Sequence, residues 1–410
     1  MNVAINDIPR TSSMSHQVPH RKVLFVLGTL WGENGITSHL LTLSKGLQKS
    51  GWEVAIASSL ASSSESAIDE ANQAVMRFEK YGVRHFNVEF SQLRPSSQNF
   101  LNAIRSLQSF SKVIEDFKPD IIHMHSLSIA PYVRLGAARR QIPMIATSHL
   151  EPVHQKPTSF LRTQVNHAIS KLWGDRFIAI SREIKYFFES SLQVNPEKVS
   201  LVYHGIDEEY FRPPSTEERR IARLEYGLED CDRVVCLVAR LDPIKGHDIL
   251  IKALSLLKEQ DFKITVLMAG KGYGDELSRV VQQAEEYQVS ECIQYLGMVD
   301  TRNVLWASDM ITLPSRREGF PLVILEGMLC GTIPIRTPAA GVFDQIQDGI
   351  NGWIFPFDNA NLLATRIRET FENSELKSRM SREAISYSRS NFTLNQMITK
   401  TVEVYNKLLT

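Results

Sequence analysis

The chain has 410 residues, more than one ordinary hydrophobic core holds, so two domains are expected. Lysine plus arginine equals aspartate plus glutamate at 46 each, which offers no electrostatic case for nucleic-acid binding, and no apolar run approaches the ~20 residues of a membrane span. The four cysteines (Cys231, Cys236, Cys292, Cys330) lack metal-ligand spacing, and Cys236 and Cys330, in apolar runs, read as inert core thiols of a reducing compartment, which fits a cytoplasmic protein.

Residues 1–20 are polar, lack the apolar core of a signal peptide and read as a disordered tail. Lys22–Gly28 is the first predicted strand. The loop Asn34-Gly35-Ile36 follows, then a predicted helix over Thr37–Lys49 with apolar Leu40, Leu41 and Leu47. Further strands are predicted at Glu53–Ser58, Asp120–His125, Met144–Thr147, Arg176–Ile180 and Val199–Val202. Strands alternating with helical stretches argue for a parallel sheet. Pro213-Pro214 breaks the chain, so a domain boundary is expected near 205–215. A second sheet is predicted from 234–240, 264–269, 293–296, 310–313 and 333–336, and Leu394–Leu408 reads as an amphipathic helix.

Three segments carry the chemistry. The run Val234–Ala239 reads as a doubly buried strand that ends in Arg240, with Lys245 shortly after. Two cations at a strand's carboxyl end sit where open α/β sheets bind ligands, and can hold a pyrophosphate. The strand at 264–269 runs into Gly270-Lys-Gly272-Tyr-Gly274, whose glycines permit close approach of backbone to a ligand but lack the spacing of a dinucleotide fingerprint. The third segment is Glu318-Gly319-Phe320-Pro321-Leu322 with Glu326 eight residues after Glu318. Pro321 suits a helix's first turn and Gly331 its stop, which places Glu326 mid-helix among Leu322, Val323, Leu329 and Cys330. A carboxylate among apolar neighbours needs hydrogen-bonding partners, and the loop before a helix offers free N–H groups to an anion. A buried Glu paired with an arginine would explain the same residues.

Two features of the first half stay open on composition alone. His123-Met-His125 resembles a metal pair, but no cysteine or carboxylate cluster accompanies it, so a structural role is preferred and no metal is assigned. Residues 131–176 hold seven basic residues (Arg134, Arg139, Arg140, Lys156, Arg162, Lys171, Arg176) against Glu151 and Asp175, with Phe160 and Trp173 interleaved. This is either a solvated helix face or a surface for peripheral contact with anionic membrane lipid.

The Arg240/Lys245 pair, the Gly-x-Gly turn and the Glu-x7-Glu segment together resemble the large family of retaining GT-B glycosyltransferases, the family 4-like "glycosyl transferases group 1". Ala339-Ala-Gly341-Val-Phe-Asp344, Asp348-Gly-Ile-Asn-Gly352, Val202-Tyr-His204-Gly205, Thr147-Ser-His149 and Asn34-Gly35 extend the likeness over roughly residues 22–408. The sequence departs from the family's pattern at Ala340, at Phe343-Asp344, at His204 where Asn is usual, and at Asn34.

The resemblance implies an α/β GT-B fold of two Rossmann-like domains facing a central cleft. The expected limits are 21–207 for the acceptor-binding domain and 208–392 for the nucleotide-sugar domain. A helix at 393–410 is expected to return to the first domain, with the crossing at Arg389–Phe392. The implied activity is transfer of a sugar, with retention, from a nucleotide diphosphate sugar (a UDP-sugar first) to a hydroxyl of a glycan or lipid-linked acceptor, in polysaccharide or glycoconjugate assembly. Glu318, His149, Arg240 and Lys245 are the implied catalytic group. Gly35, Arg240, Lys245, Gly270, Gly272, Gly319, Phe320, Pro321, Leu322 and Glu326 would hold the donor, and Asn34 with Gly35 the acceptor. No cofactor or metal is implied, because fixed cations would carry the leaving diphosphate's charge. The alternatives are an epimerase or hydrolase on the same fold, and a non-catalytic sugar-binding relative.

Overall fold

The structure is a computed structural model that describes residues 21–410 apart from 33, 61–63, 91–96, 127–128, 139, 150–173 and 273. The proposed tail at 1–20 and most of the basic stretch therefore lie outside the described residues, Arg139, Lys156, Arg162 and Lys171 included.

Apolar strand residues build two parallel sheets. The first contains β1 (Arg21–Leu30), β2 (Trp52–Leu60), β3 (Arg84–Asn87), β4 (Ile121–Met124), β5 (Met144–Ser148), β6 (Arg176–Ala179) and β7 (Val199–Leu201). Its order is β3-β2-β1-β4-β5-β6-β7. The second contains β8 (Val234–Val238), β9 (Thr265–Ala269), β10 (Ile293–Gly297), β11 (Met310–Leu313), β12 (Ile333–Arg336) and β13 (Trp353–Ile354), in the order β10-β9-β8-β11-β12-β13. The central strands are apolar on both faces because helices cover both sides; Val23, Leu24, Phe25 and Val26 are all fully buried. This is the two-sheet GT-B arrangement that the sequence implied.

Strand order reverses between β1 and β4 in one sheet and between β8 and β11 in the other. At such a switch point the loops leaving adjacent strands diverge and open a crevice beyond the carboxyl ends. Asn34 and Gly35 follow β1, Arg240 and Lys245 follow β8, and Glu318 follows β11, so topology alone brings the candidate residues to crevices.

β3 and β13 escaped prediction for local reasons. β3 is a four-residue edge strand with both ends exposed, and β13 is two residues long. The return to the first domain also differs from expectation. Helix Ser374–Asn391 runs through Arg389, and the break falls at Phe392-Thr393, where Thr393 caps helix Leu394–Leu409 in a reciprocal capping box with Gln396. The two inter-domain segments touch there: Ile206 N–H donates to Phe392 O (2.9 Å) and Leu394 N–H to Ile206 O (2.9 Å). A Cβ on Gly205 would lie 2.4 Å from Thr393 O, which explains a glycine at this crossing. The terminal helix then packs on helix Gly35–Lys49, Ile398 lying against Gly46, and Tyr405 reaches into the first sheet to hydrogen-bond His123.

Candidate functional site

A cleft of about 960 Å³ lies between the two sheets. Asn34, Gly35, His149 and His204 line one wall; Arg240, Lys245, Gly270, Glu318, Gly319, Phe320, Pro321, Leu322 and Glu326 line the other. Gly272 does not line it. It bridges to Leu241, and a Cβ there would meet Leu241 Cβ at 3.1 Å and Glu276 Cβ at 3.4 Å, so its lack of a side chain serves the packing under the loop. Gly270 serves the loop's shape directly: its φ of +143° suits glycine, and a Cβ would fall 1.8 Å from Ala239 O.

The Lys245 turn is a short 3-10 segment, Pro243–Lys245, capped by Asp242 and closed by Gly246 in the left-handed region at φ 74°. Lys245 Nζ donates to Glu318 Oε1 at 2.8 Å, with the two side chains 19% and 9% exposed. Arg316 fixes this pairing from behind. Its guanidinium grips Asp248 through two bonds of 2.7 and 3.0 Å and donates to Pro243 O, and its backbone N–H donates to Ile244 O. Arg316 therefore ties the Glu318 loop to the Lys245 turn; its sequence signal was only proximity to Glu318. Arg240 is 53% exposed, with Asp242 3.5 Å away, and reaches into the cleft as a lightly held cation.

Helix Leu322–Cys330 starts one residue later than expected, with Pro321 at its cap position and Gly331 closing it at φ 84°. Ile324, Leu325, Met328 and Leu329 are fully buried, each stabilising the helix by about 1.5–3 kcal/mol. That burial fixes which face of the helix turns to the cleft. Glu326 lines the cleft half-buried. Loss of water around the carboxyl, aided by nearby Asp300, pushes its pKa up to about 7. The bland alternative, a Glu paired with an arginine, does not hold: among the described residues no ion pair involves Glu326. Phe320 is buried and stacks on Tyr203 at 5.5 Å between ring centres. Gly341, at φ 76°, lies against Phe320, and buried Arg336 donates to Ala339 O and Ala340 O, both at 3.0 Å, to hold that loop.

The departures from the family pattern also have structural roles. Asn34 caps helix Gly35–Lys49, its Oδ1 accepting from Ile36 N–H and Thr37 N–H at 2.9 Å each. Asp344 joins the domains, accepting from Tyr203 Oη (2.7 Å) and Arg182 N–H (2.8 Å) and pairing with Arg182 Nε (3.0 Å). At the opposite side, Lys271 crosses the cleft mouth to Glu70 at 2.5 Å. Of the basic stretch, Arg134 pairs with Asp175, Arg140 with Glu115, and Arg176 donates to Glu197 O.

The chain matches the family described as "Glycosyltransferase Family 4" over residues 33–210 and that described as "Glycosyl transferases group 1" over residues 218–387. The two matches, one to each half, support a family 4-like group 1 glycosyltransferase. It is 28% identical over 247 residues to D-inositol 3-phosphate glycosyltransferase of Mycobacterium marinum, covering 57% of this chain and 51% of the relative. The chain thus spans about half the length of the curated relatives it matches. In fold it resembles a glycosyltransferase from Rickettsia africae (TM-score 0.80, 23% identity, 95% of this chain and 99% of the other). It also resembles Anabaena HepE in complex with UDP and glucose (TM-score 0.77, 20% identity, 95% and 100%).

Proposed function

We propose that this protein is a retaining glycosyltransferase that moves a sugar from a nucleotide diphosphate sugar, UDP-sugars first, to a hydroxyl acceptor. The observation that carries this reading is the meeting of Arg240, Lys245, Glu318 and Glu326 on one wall of a single cleft, beside the free N–H groups at the start of helix Leu322–Cys330. The complex of the similar Anabaena protein with UDP and glucose supports the choice of donor.

The proposed division of labour follows the geometry. Arg240 and Lys245 take up charge that develops on the leaving diphosphate, a preorganised electrostatic role that would stand in for a metal. A diphosphate competes with Glu318 for Lys245, which frees the Glu318 carboxylate for the donor sugar's hydroxyls and the positive charge growing at the anomeric carbon. Glu326 accepts from the ribose hydroxyls, and His149 contacts the donor sugar from the opposite wall. The acceptor hydroxyl attacks on the face the diphosphate leaves, and its proton passes to the departing phosphate oxygen; configuration is retained without a covalent enzyme intermediate.

The acceptor enters past Asn34 and Gly35, and a glycan or lipid-linked glycan is the proposed class. No described helix is long and apolar enough to cross a membrane, so a lipid-linked acceptor would be met by peripheral contact with anionic lipid. Arg134 and Arg140 are already paired with carboxylates, so that contact would rest on the remaining bases of the stretch. Salt-reversible binding to anionic vesicles tests it.

A thermal-shift panel of UDP, GDP and ADP tests the donor assignment, since ligand at ~100 Kd stabilises by roughly 2.7 kcal/mol. Stabilisation by none of the three contradicts the reading. Donor turnover that is rapid without any acceptor would point instead to a hydrolase or epimerase.

A further inference from the structure

Five histidines converge beneath the first-domain wall of the cleft: His39 from helix Gly35–Lys49, His123 and His125 at the end of β4, His149 just past β5, and His204 from the inter-domain segment. All five are buried. They divide by hydrogen bonding. His123 uses both ring nitrogens, on Tyr405 Oη and Thr147 Oγ1, each at 2.7 Å, which is a structural histidine as the sequence suggested. The others are under-used. His125 Nδ1 meets His149 Nε2 at 2.9 Å, while His125 Nε2, His39 Nδ1 and His204 Nδ1 are buried with no partner among the described residues. Buried polar atoms are ordinarily satisfied, so three orphaned nitrogens in one place ask for something that binds lone pairs.

His39, His125 and His149 each offer a ring nitrogen within 4.8 Å of the other two. His204 stands against the set, its ring stacked on His149 at 5.3 Å and 3.9 Å from His39. We propose that His39, His125 and His149 form a binding site for a divalent transition-metal ion of the zinc class, with His204 beside it as a further neighbour. Imidazole nitrogen is the ligand such ions prefer among neutral groups, and three-histidine sets are established zinc donors. Burial disfavours the charged imidazolium at every member of the cluster, so the lone pairs are held ready. At Zn–N distances of roughly 2.0–2.1 Å, tetrahedral nitrogens lie about 3.4 Å apart. The 4.8 Å spread thus closes with ring rotations of about an ångström, small for side chains. Each neutral imidazole keeps its one proton on the nitrogen that does not ligate, so no net proton is lost. The ion would lie below the cleft, since His149 and His204 also line it. The site is separate from the diphosphate residues and does not depend on the glycosyl-transfer reading.

The test is titration of the chelator-treated full chain with Co2+, read by its visible d–d bands, followed by Zn2+ competition. One saturable Co2+ per chain with strong tetrahedral-type absorption is expected, bleached by Zn2+. His39→Gln and His125→Gln should each weaken Co2+ binding at least 10-fold. His85→Gln, a histidine bonded to Ser58 away from the cluster, should not. A wild-type protein with no saturable spectrum overturns the site. So does a spectrum unchanged in His39→Gln and His125→Gln, which would hand the ion to histidines elsewhere in the chain. Should both variants misfold, X-ray absorption on Co2+-loaded wild type decides: scattering from several coordinated imidazoles is expected, and an oxygen-only shell overturns the proposal.

Discussion

The two walls of the cleft are built on different principles. On the second-domain wall, Arg240, Lys245 and Glu318 follow their strands within a few positions on loops shaped by glycines and by Arg316, and Glu326 stands on the helix that follows. Beneath the first-domain wall, histidines arrive from four separate elements, and their meaning comes from convergence. A wall made of contiguous segments can be read from sequence and should fail locally when mutated. A wall made by convergence should fail collectively, through the protonation state of the whole group.

The largest effects are expected on the second wall. Arg240→Ala or Lys245→Ala should each lower kcat by roughly 10²–10³-fold if each acts as one preorganised stabilising group. Arg240→Lys should recover only part, because the fork geometry is lost. Turnover within a few-fold of wild type in both alanine variants would erase the contrast between the walls.

The two glutamates should separate by about 10–100-fold in different constants, the size of one hydrogen bond to a charged group. Glu326→Gln is expected to raise the donor KM, since ribose contacts are made equally in ground and transition states, and Glu318→Gln to lower kcat. Because the Glu326 carboxyl titrates near about 7, the wild-type donor KM should fall as pH rises through that value and the ionised acceptor forms. The Gln variant should lose this dependence. Steady-state kinetics across pH checks both.

The first wall should answer to pH as a group. Burial holds the pKa of all five histidines below the ordinary 6.5, that of His123 at about 3 and of His149 at about 4. Below 6.5 the unfolded chain takes up protons that the folded chain refuses. Their contribution is therefore whole above 6.5 and is lost as pH falls toward the folded values, by up to about 1.4 kcal/mol per histidine per pH unit. Glu326 and Asp344 work in the opposite sense, since burial raises both. Their contribution is whole at low pH and fades as pH rises, but they are two against seven, since burial also lowers His85 and His247. Chelator-treated protein should thus lose melting temperature steeply between about pH 7 and pH 5. The slope should be shallower in His125→Gln, and an equal slope would mean the cluster is not held neutral.

Smaller effects distinguish glycines by wall. Gly270→Ala must strain the backbone and strike Ala239 O, a loss of at least about 3 kcal/mol. Gly35→Ala meets nothing within 4 Å and sits at a helix start, so stability should change by under about 1 kcal/mol. Any loss of activity there reports a ligand's need for that space. Thermal melts paired with kinetics separate the two cases.

The same contrast explains what could be read from sequence. The strands of both sheets were legible because a parallel strand buried on both faces is a continuous apolar run, as at Val234–Val238. β3 was not, because Arg84–Asn87 is a short edge with exposed ends. Lys245 and Glu318 could be named as neighbours of a donor, but not as an ion pair, since their contact depends on how Arg316 draws two loops together. Neither His39 nor His204 was legible as part of a cluster: one lies on a helix otherwise read for its leucines, the other in an inter-domain segment where it was read as a departure. Gly272 shows the limit of such reading, because a glycine needed for packing and one needed for a ligand look identical in sequence.

The central claim is that the second-domain wall holds a nucleotide diphosphate on Arg240 and Lys245. Isothermal calorimetry of UDP against wild type, Arg240→Ala and Lys245→Ala, with folding confirmed by melts, tests it most directly. Saturable one-to-one binding by wild type and at least 10-fold weaker binding by each variant is the predicted result. Equal affinity in all three proteins would contradict the account.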